Sequence, residues 1–343
     1  MEAVMSIQFK NLAAVAATAT FLLLGQQAVA QQQRACCEPC WDICGDWKVG
    51  AEALYFTPIT CPYAYGTNFV VVSSPGFSSQ DGQADVVPCT PEWGFRVFGN
   101  YLCDCFFACV SYQRYNGTAA NSFVGTSPSI LGGAFAGPAK ITGRVQIEYQ
   151  NVDVRLGQYF LRGCRSSLYL YGNGRWIDLS HRRSARQAIL ASGTALDTQE
   201  KSQLEGGALG IGCGGEVDVW CNFGAYIDAN LLGVIGRRSL KDVRFRTITL
   251  ASTVNSQQGY PSDTCVTPEV DFRIGLNYTY QCGCWTLVGE VGYEVDHFWH
   301  ASMFPDLVTT IDTDADENSP RDFVPVCEDL GFSGLFFGAR LIF

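Results

Sequence analysis

Period-two alternation between Glu269 and Trp299 constrains this chain more than any other feature. Val270, Phe272, Ile274, Leu276, Tyr278 and Tyr280 alternate with Glu269, Asp271, Arg273, Gly275, Asn277 and Thr279. A tight corner at Gln281–Cys284 follows. Trp285, Leu287, Val291, Tyr293 and Val295 then run back opposite Thr286, Glu290, Glu294 and Asp296. Such a hairpin has one apolar and one polar face, and aromatics crowd both ends of the apolar one. Lipid cannot satisfy a polar side chain, so strands of about 10 residues with apolar groups out and charges in are what a membrane barrel needs. The pattern predicts an all-β fold: an antiparallel, up-and-down transmembrane β-barrel.

Further strands repeat the pattern. Trp47 to Tyr55, Trp93 to Tyr101, Phe106 to Tyr112, Ser166 to Leu179, Leu209 to Val219, Phe223 to Leu231 and Leu330 to Phe343 each carry it. In the stretch Val145 to Leu156 the apolar parity changes: Val145, Ile147 and Tyr149 give way to Val152, Val154 and Leu156. That change predicts a bulge near Asn151. Short corners are expected at Leu102–Asp104, Leu161–Arg165, Trp220–Asn222 and Gln281–Cys284. Long polar loops are expected at Thr57–Pro91, Asn116–Thr142, Ser180–Glu205, Ile235–Thr267 and His300–Cys327. Alternation of short turns and long loops is the asymmetry of outer-membrane barrels. About ten strands result, with both termini on the short-turn side. Val243, Phe245, Thr247 and Thr249 suggest an extra hairpin in the fourth loop, so twelve strands are also compatible.

The beginning of the chain reads as an export signal. Lys10 precedes a short apolar run from Leu12 to Leu24, and Ala28–Ala30 offers a small-residue cleavage site. The expected organisation is a signal peptide at 1–30, a cysteine-rich segment at 31–45 and a barrel at 46–343. No later run of 18 apolar residues exists, which argues against helical membrane spans. With 36 Gly, 22 Phe, 15 Tyr and 7 Trp, the composition suits tight strand packing and interfacial aromatic belts. A net charge of −10 argues against a nucleic-acid partner, because nothing neutralises a phosphate backbone.

Five segments, taken in order, resemble a known family: Trp93–Tyr101, Asp153–Gln158, Gly210–Glu216, Asn230–Gly233 and Gly292–Trp299. The chain is similar over most of its length to the Legionella-type major outer-membrane, pore-forming proteins, which also occur in chlamydia-like bacteria and planctomycetes. The resemblance implies a barrel porin in the bacterial outer membrane, with no catalytic residue and no cofactor. The cysteine content departs from the family pattern and resembles the disulfide-cross-linked envelopes of chlamydia-type organisms.

On this reading the polar face supplies the pore lining: Lys48, Glu52, Glu92, Arg96, Glu148, Arg175, Glu216, Asp218, Asp228, Glu269, Asp271, Arg273, Glu290, Glu294, Asp296 and Arg340. Acids outnumber bases there, so a channel should favour cations mildly. The opposing reading is a narrow barrel filled by paired Arg and carboxylate groups that conducts little. Its function would be structural, as a disulfide-cross-linked envelope barrel. Phe343, an aromatic last residue preceded by alternating apolar ones, resembles the signal read by the barrel assembly machinery. Expected partners are outer-membrane lipid, that machinery, and disulfide-linked envelope proteins or further copies of the chain.

All 16 cysteines follow the expected cleavage site, and an exported chain is expected to form disulfides. Cys36, Cys37, Cys40, Cys44, Cys103, Cys105, Cys164, Cys221, Cys282 and Cys284 fall on the short-turn side. Cys61 and Cys89 bracket the first loop, while Cys265 and Cys327 sit at the edges of the fourth and fifth. Only Cys109 and Cys213 fall within strands. Cys37, Cys40 and Cys44 have zinc-like spacing, which an oxidising compartment disfavours. The acidic loop Asp312–Asn318 hints at calcium, but Glu317 and Phe323 stand where an EF-hand needs glycine and glutamate. Glu294, Asp296, His297 and His300 hint at acid–base catalysis. Neighbours in a strand point to opposite faces, so Asp296 and His297 should diverge.

Overall fold

The computed structural model describes residues 44–343 apart from 61–62, 75–76, 104, 126–127, 131–132, 135–137, 164, 190–193, 221, 249–252, 259–261, 283–284 and 307–323. Both the expected signal peptide and the acidic loop Asp312–Asn318 lie outside the described residues.

The described strands are β1 (Cys44–Thr60), β2 (Tyr63–Ser74), β3 (Phe77–Val87), β4 (Glu92–Cys103), β5 (Phe106–Gly125), β6 (Pro128–Ile130), β7 (Gly133–Ala134), β8 (Ala139–Arg162), β9 (Ser166–Ile189), β10 (Ala195–Trp220), β11 (Phe223–Ile248), β12 (Thr253–Gln258), β13 (Asp263–Cys282), β14 (Trp285–Asp306) and β15 (Val324–Ile342). Ten of them form a closed ring in the order β10-β9-β8-β5-β4-β1-β15-β14-β13-β11, completed by pairing of β10 with β11. Every pair is antiparallel. First and last strands meet at the seam, where Lys48 lies opposite Ile342 and Phe56 opposite Gly334. Reciprocal backbone hydrogen bonds of 3.0 Å join Trp47 to Phe343 there. Four short strands (β3-β2-β6-β7) make a second sheet from the first two long connections.

Two sequence expectations need correction, and one physical cause explains both. Register across β8 runs unbroken through Asn151, which lies opposite Gln113 on β5 and Ile177 on β9. There is no bulge at that point. Instead the polarity of the two faces inverts while the backbone continues. Residues 139, 141, 143, 145, 147, 149, 151 and 153 are all buried on one face. Above Asn151 that inner face carries Ile141, Val145, Ile147 and Tyr149, and the outer face Lys140, Arg144, Gln146 and Glu148. Below it the inner face carries Asp153 and Arg155, and the outer face Val152, Val154 and Leu156.

Much of what reads as polar loop is barrel wall: β9 continues to Ile189 and β10 begins at Ala195, inside the expected loop Ser180–Glu205. A strand of 26 residues reaches about 85 Å. A tilted bilayer crossing needs only about 9–11 residues. The lower part of the wall meets lipid and the upper part meets water. In water the ordinary rule returns, with polar groups out and apolar groups in.

The expected short corners stand between β4 and β5, β8 and β9, β10 and β11, and β13 and β14. The extra hairpin pairs Val243 with Gln258 and Ile248 with Thr253, but β12 does not enter the ring. Thr249 lies outside the described residues.

Candidate functional site

The interior of the lower barrel is a string of charged groups held by strands from opposite walls. Arg96 on β4 donates to Glu52 on β1 at 2.9 Å and to Glu294 on β14 at 2.9 Å, and its other nitrogens reach Gln113 at 2.6 and 3.2 Å. Arg273 on β13 also binds Glu52, so this carboxylate is shared by two guanidinium groups. Arg273 lies over the Phe336 ring at 4.0 Å. Arg340 continues the string toward the turn end, 2.9 Å from Glu290 and 3.5 Å from Glu216.

A second cluster centres on Arg175 of β9. It donates to Asp153 at 2.8 and 3.2 Å and to Asp271 at 2.9 Å, and it binds Glu269. Asp296 lies 4.0 Å from it. Arg155 links this cluster to Asp228, 3.2 Å away. Tyr171 and Tyr169 donate to the same Asp228 at 2.5 and 2.9 Å. These two rings lie against Gly212 and Gly214 of β10, where a Cβ would collide with them. The glycine-rich stretch of β10 is therefore the space that the tyrosines fill.

Arginine is the side chain suited to this arrangement, since its planar fork serves several carboxylates at once. Charge burial of this density costs several kcal/mol per ion before pairing offsets it. Glu52 keeps Arg96 if Arg273 is removed, whereas loss of Arg175 takes from Glu269 its guanidinium partner among the described residues.

Above the charged zone an aromatic layer crosses the lumen. Tyr149 on β8 stacks on Phe332 of β15 at 5.0 Å and meets Phe298 of β14 at 5.6 Å. Its hydroxyl donates to Asp296 at 3.1 Å. β8 and β14 are five places apart in the ring of ten, so this contact spans the full diameter. Phe56, Tyr115, Ile147, Ile177, Leu179 and Leu204 complete the layer, all essentially inaccessible.

Most of the residues expected on the lining face do face the interior: Lys48, Glu52, Glu92, Arg96, Arg175, Glu216, Asp228, Glu269, Asp271, Arg273, Glu290, Glu294, Asp296 and Arg340 share the inner parity of their strands. Asp218 stands exposed at the turn end. Glu148 is a correction: it lies on the outer face, where Gln146 donates to it at 2.7 Å. It belongs to the polar outer surface above the inversion, where charged residues point away from the core.

Sequence reading missed Asp153 and Arg155, which sit just past the parity change. It also missed a group at the loop end comprising His181, Arg183, Glu200 and Glu328. The available signal was inward parity, of His181 and Arg183 with Ile177 and Leu179, of Glu200 with Leu204 and of Glu328 with Leu330. Burial pushes the Glu200 carboxyl up to about 7, with Arg183 pulling it down and Glu328 raising it. Burial, helped by Arg183, holds His181 well below the ordinary imidazole range. Asp296 and His297 diverge as expected, the first buried inside and the second on the outer face against Trp299 at 4.8 Å.

Cys44 lies opposite Cys103 in the β1–β4 register, at the turn end. Cys105 and Cys282 share that end, while Cys265 and Cys327 open β13 and β15 at the other and Cys89 lies between β3 and β4. Cys105, Cys265, Cys282 and Cys327 carry no bridge, nor do the strand residues Cys109 and Cys213. Cys36, Cys37, Cys40, Cys61, Cys164, Cys221 and Cys284 lie outside the described residues. Among the described residues no group of three or more His, Cys, Asp or Glu is arranged to hold a metal ion.

The outer membrane protease OmpT from Escherichia coli is similar in fold, with 8% identity and a TM-score of 0.44, over 90% of this chain and 99% of that one. A Pseudomonas aeruginosa FadL homologue shares 8% identity with a TM-score of 0.27, over 87% and 90%. The Ralstonia pickettii toluene transporter TbuX shares 10% identity with a TM-score of 0.24, over 87% and 88%. No curated protein matches the chain. The family model described as the Legionella pneumophila major outer membrane protein precursor matches residues 39–343. That match spans the whole described barrel, and the chain belongs to the Legionella major outer membrane protein family.

Proposed function

We propose that this barrel is an outer-membrane pore for small hydrophilic solutes, mildly selective for cations, and that the described state is closed. One observation carries the reading: the lower interior is charged, whereas a barrel serving only as a strut would be filled more cheaply with apolar side chains. Charged interiors line the water-filled paths of open barrels, and the paired guanidinium and carboxylate groups here fit the closed state. Acids outnumber bases along this path, so its field attracts cations. Transport would be passive, by size exclusion and lining charge, with no catalytic residue and no cofactor. Export would proceed through a cleaved signal peptide at 1–30, and Phe343 at the seam would serve as the assembly signal.

The test is conductance of the detergent-purified protein in a planar lipid bilayer under a salt gradient. Unit steps with a cation-biased reversal potential are expected. A silent bilayer from a barrel that remains heat-modifiable on gels would overturn the pore.

A second reading has its own observation. The aromatic layer from Tyr149 to Phe298 and Phe332 spans the lumen, and cysteines gather at the turn end. A plugged barrel cross-linked to envelope proteins or to further copies of itself fits those two facts. Multimers on non-reducing gels that collapse with a thiol reductant, together with a silent bilayer, would favour it.

A further inference from the structure

The ends of β14 and β15 do not continue the barrel wall. Register between them shifts between Phe298 and Ser302, where Phe298 lies opposite Leu330 and Ser302 opposite Glu328. Three residues on β14 therefore face one on β15, a large bulge that bends its strand. Within it His300 has φ 55°, the left-handed region that a residue with a Cβ seldom adopts. Asp329 accepts the His300 N–H at 2.8 Å, and Arg238 of β11 donates to the His300 carbonyl at 2.7 Å.

Beyond the bulge the alternation stops. Ala301, Ser302, Met303 and Phe304 are all buried, at 1, 1, 5 and 3% exposure. A wall strand buries every second residue, so four in succession mean that the strand has entered the interior. What it touches are β10 and β9, three and four places away around the ring. Met303 N–H donates to Ser202 of β10 at 2.9 Å, and Ser302 Oγ lies 3.2 Å from His181 Nδ1 on β9. Arg183 of β9 lies over the Phe304 ring at 3.6 Å and donates to Glu328 of β15 at 3.0 Å. β9 and β15 are five places apart in the ring, so this ion pair bridges the mouth from side to side. Met303 and Phe304 pack with Leu240 and Val243 in a small apolar cluster separate from the main one.

We propose that the β14–β15 tip, residues 299–306 with 324–329, is a hinged lid over the loop-end mouth. Its hinge is the His300 bulge and its latch the Arg183–Glu328 pair. Met303 and Phe304 pack in the separate cluster, and of the lid only Ala301, next to the hinge, joins the main one, so the lid can lift with little disturbance of the layer beneath. Its role as a gate rests on the pore reading; its existence as an independently opening unit does not.

Two readouts on one variant keep these apart. Hydrogen–deuterium exchange of the folded, lipid-reconstituted full chain should show the amides of residues 301–304 and 306 exchanging about tenfold faster in Glu328→Gln than in the native protein. Amides 270–280 of the lower wall should be unchanged. The exchanged pair Arg183→Glu with Glu328→Arg should restore protection. Equal exchange of the tip in native and Glu328→Gln proteins, or a tip that opens only together with the lower wall, overturns the lid. In bilayers Glu328→Gln should raise the open fraction several-fold. If the native protein and the variant are both silent while the tip exchange still differs, the lid stands and the pore reading falls. His300→Gly provides a control for folding, since glycine adopts this φ freely; it should keep the tip protected, and a tip that loosens with glycine there would also count against the hinge.

Discussion

The lower and upper halves of this barrel solve one packing problem with opposite choices. In the lower half Ile274, Leu276 and Leu335 face outward while Glu52, Arg96 and Asp271 are buried. In the upper half Lys140, Arg144 and Arg186 face outward while Ile141, Ile147 and Leu179 are buried. The backbone ladder of β8 runs unbroken through Asn151 from one half to the other. What differs is the solvent at the outer face, and the inner face takes what the outer one cannot. Lipid outside drives charges inward, where they need partners; water outside lets apolar groups return to the interior, beside the buried group of His181, Arg183 and Glu200.

The sharpest test of this contrast removes the partner of the buried carboxylates. Arg175→Ala strands Glu269 and leaves Asp153 and Asp271 only Arg155 as a cationic partner among the described residues; breaking a buried pair this way costs about 3–5 kcal/mol. Urea unfolding in lipid vesicles should show that loss, and an unchanged midpoint would mean that the lower interior is wetter than its geometry implies.

Next in size is a charge placed on the lipid face. Ile274→Arg should cost about 2–4 kcal/mol near the bilayer midplane. Its counterpart Arg144→Leu, on the outer face of the upper half, should stay within about 0.5 kcal/mol. Equal penalties from the same unfolding titration would erase the proposed boundary between the halves.

A pH effect isolates the upper core. Glu200 is 8% exposed and titrates at about 7 when folded, against 4.5 for an unburied glutamate. Between these values the unfolded chain releases a proton that the folded one keeps, so stability falls as pH rises through this window. Below 4.5 both states are protonated and the penalty vanishes. Glu200→Gln should therefore stabilise by up to about 3 kcal/mol at pH 8 and by nothing at pH 4. Thermal unfolding at the two pH values measures it; a gain independent of pH would point to packing instead.

The membrane half was legible because lipid imposes a strict rule on each strand. Alternation at Val270–Tyr280 and Trp285–Val295 placed β13 and β14, and the inward parity of Glu52, Arg96, Asp271 and Glu294 followed from it. The upper half was misread for the same reason. Ser180–Glu205 looked like a loop since its polar residues violate the lipid rule; Arg182, Ser184 and Arg186 obey the water rule, while His181, Arg183 and Glu200 point inward. The parity change at Asn151 was visible, but alternation alone cannot tell a bulge from a change of solvent.

The sequence by itself determined the strands, the turns between them, the closed antiparallel ring and which face of each lower strand holds charge. These depend on neighbours a few residues apart and on the surroundings of one face. Only the tertiary structure decided which charges meet, since Arg175 and Glu269 come from strands 94 residues apart and no local pattern encodes their register across a lumen. The same holds for the aromatic layer and for the inturned tip of β14 and β15. Each arises where opposite walls of a narrow ring approach closely enough to touch, a distance set by closure of the barrel.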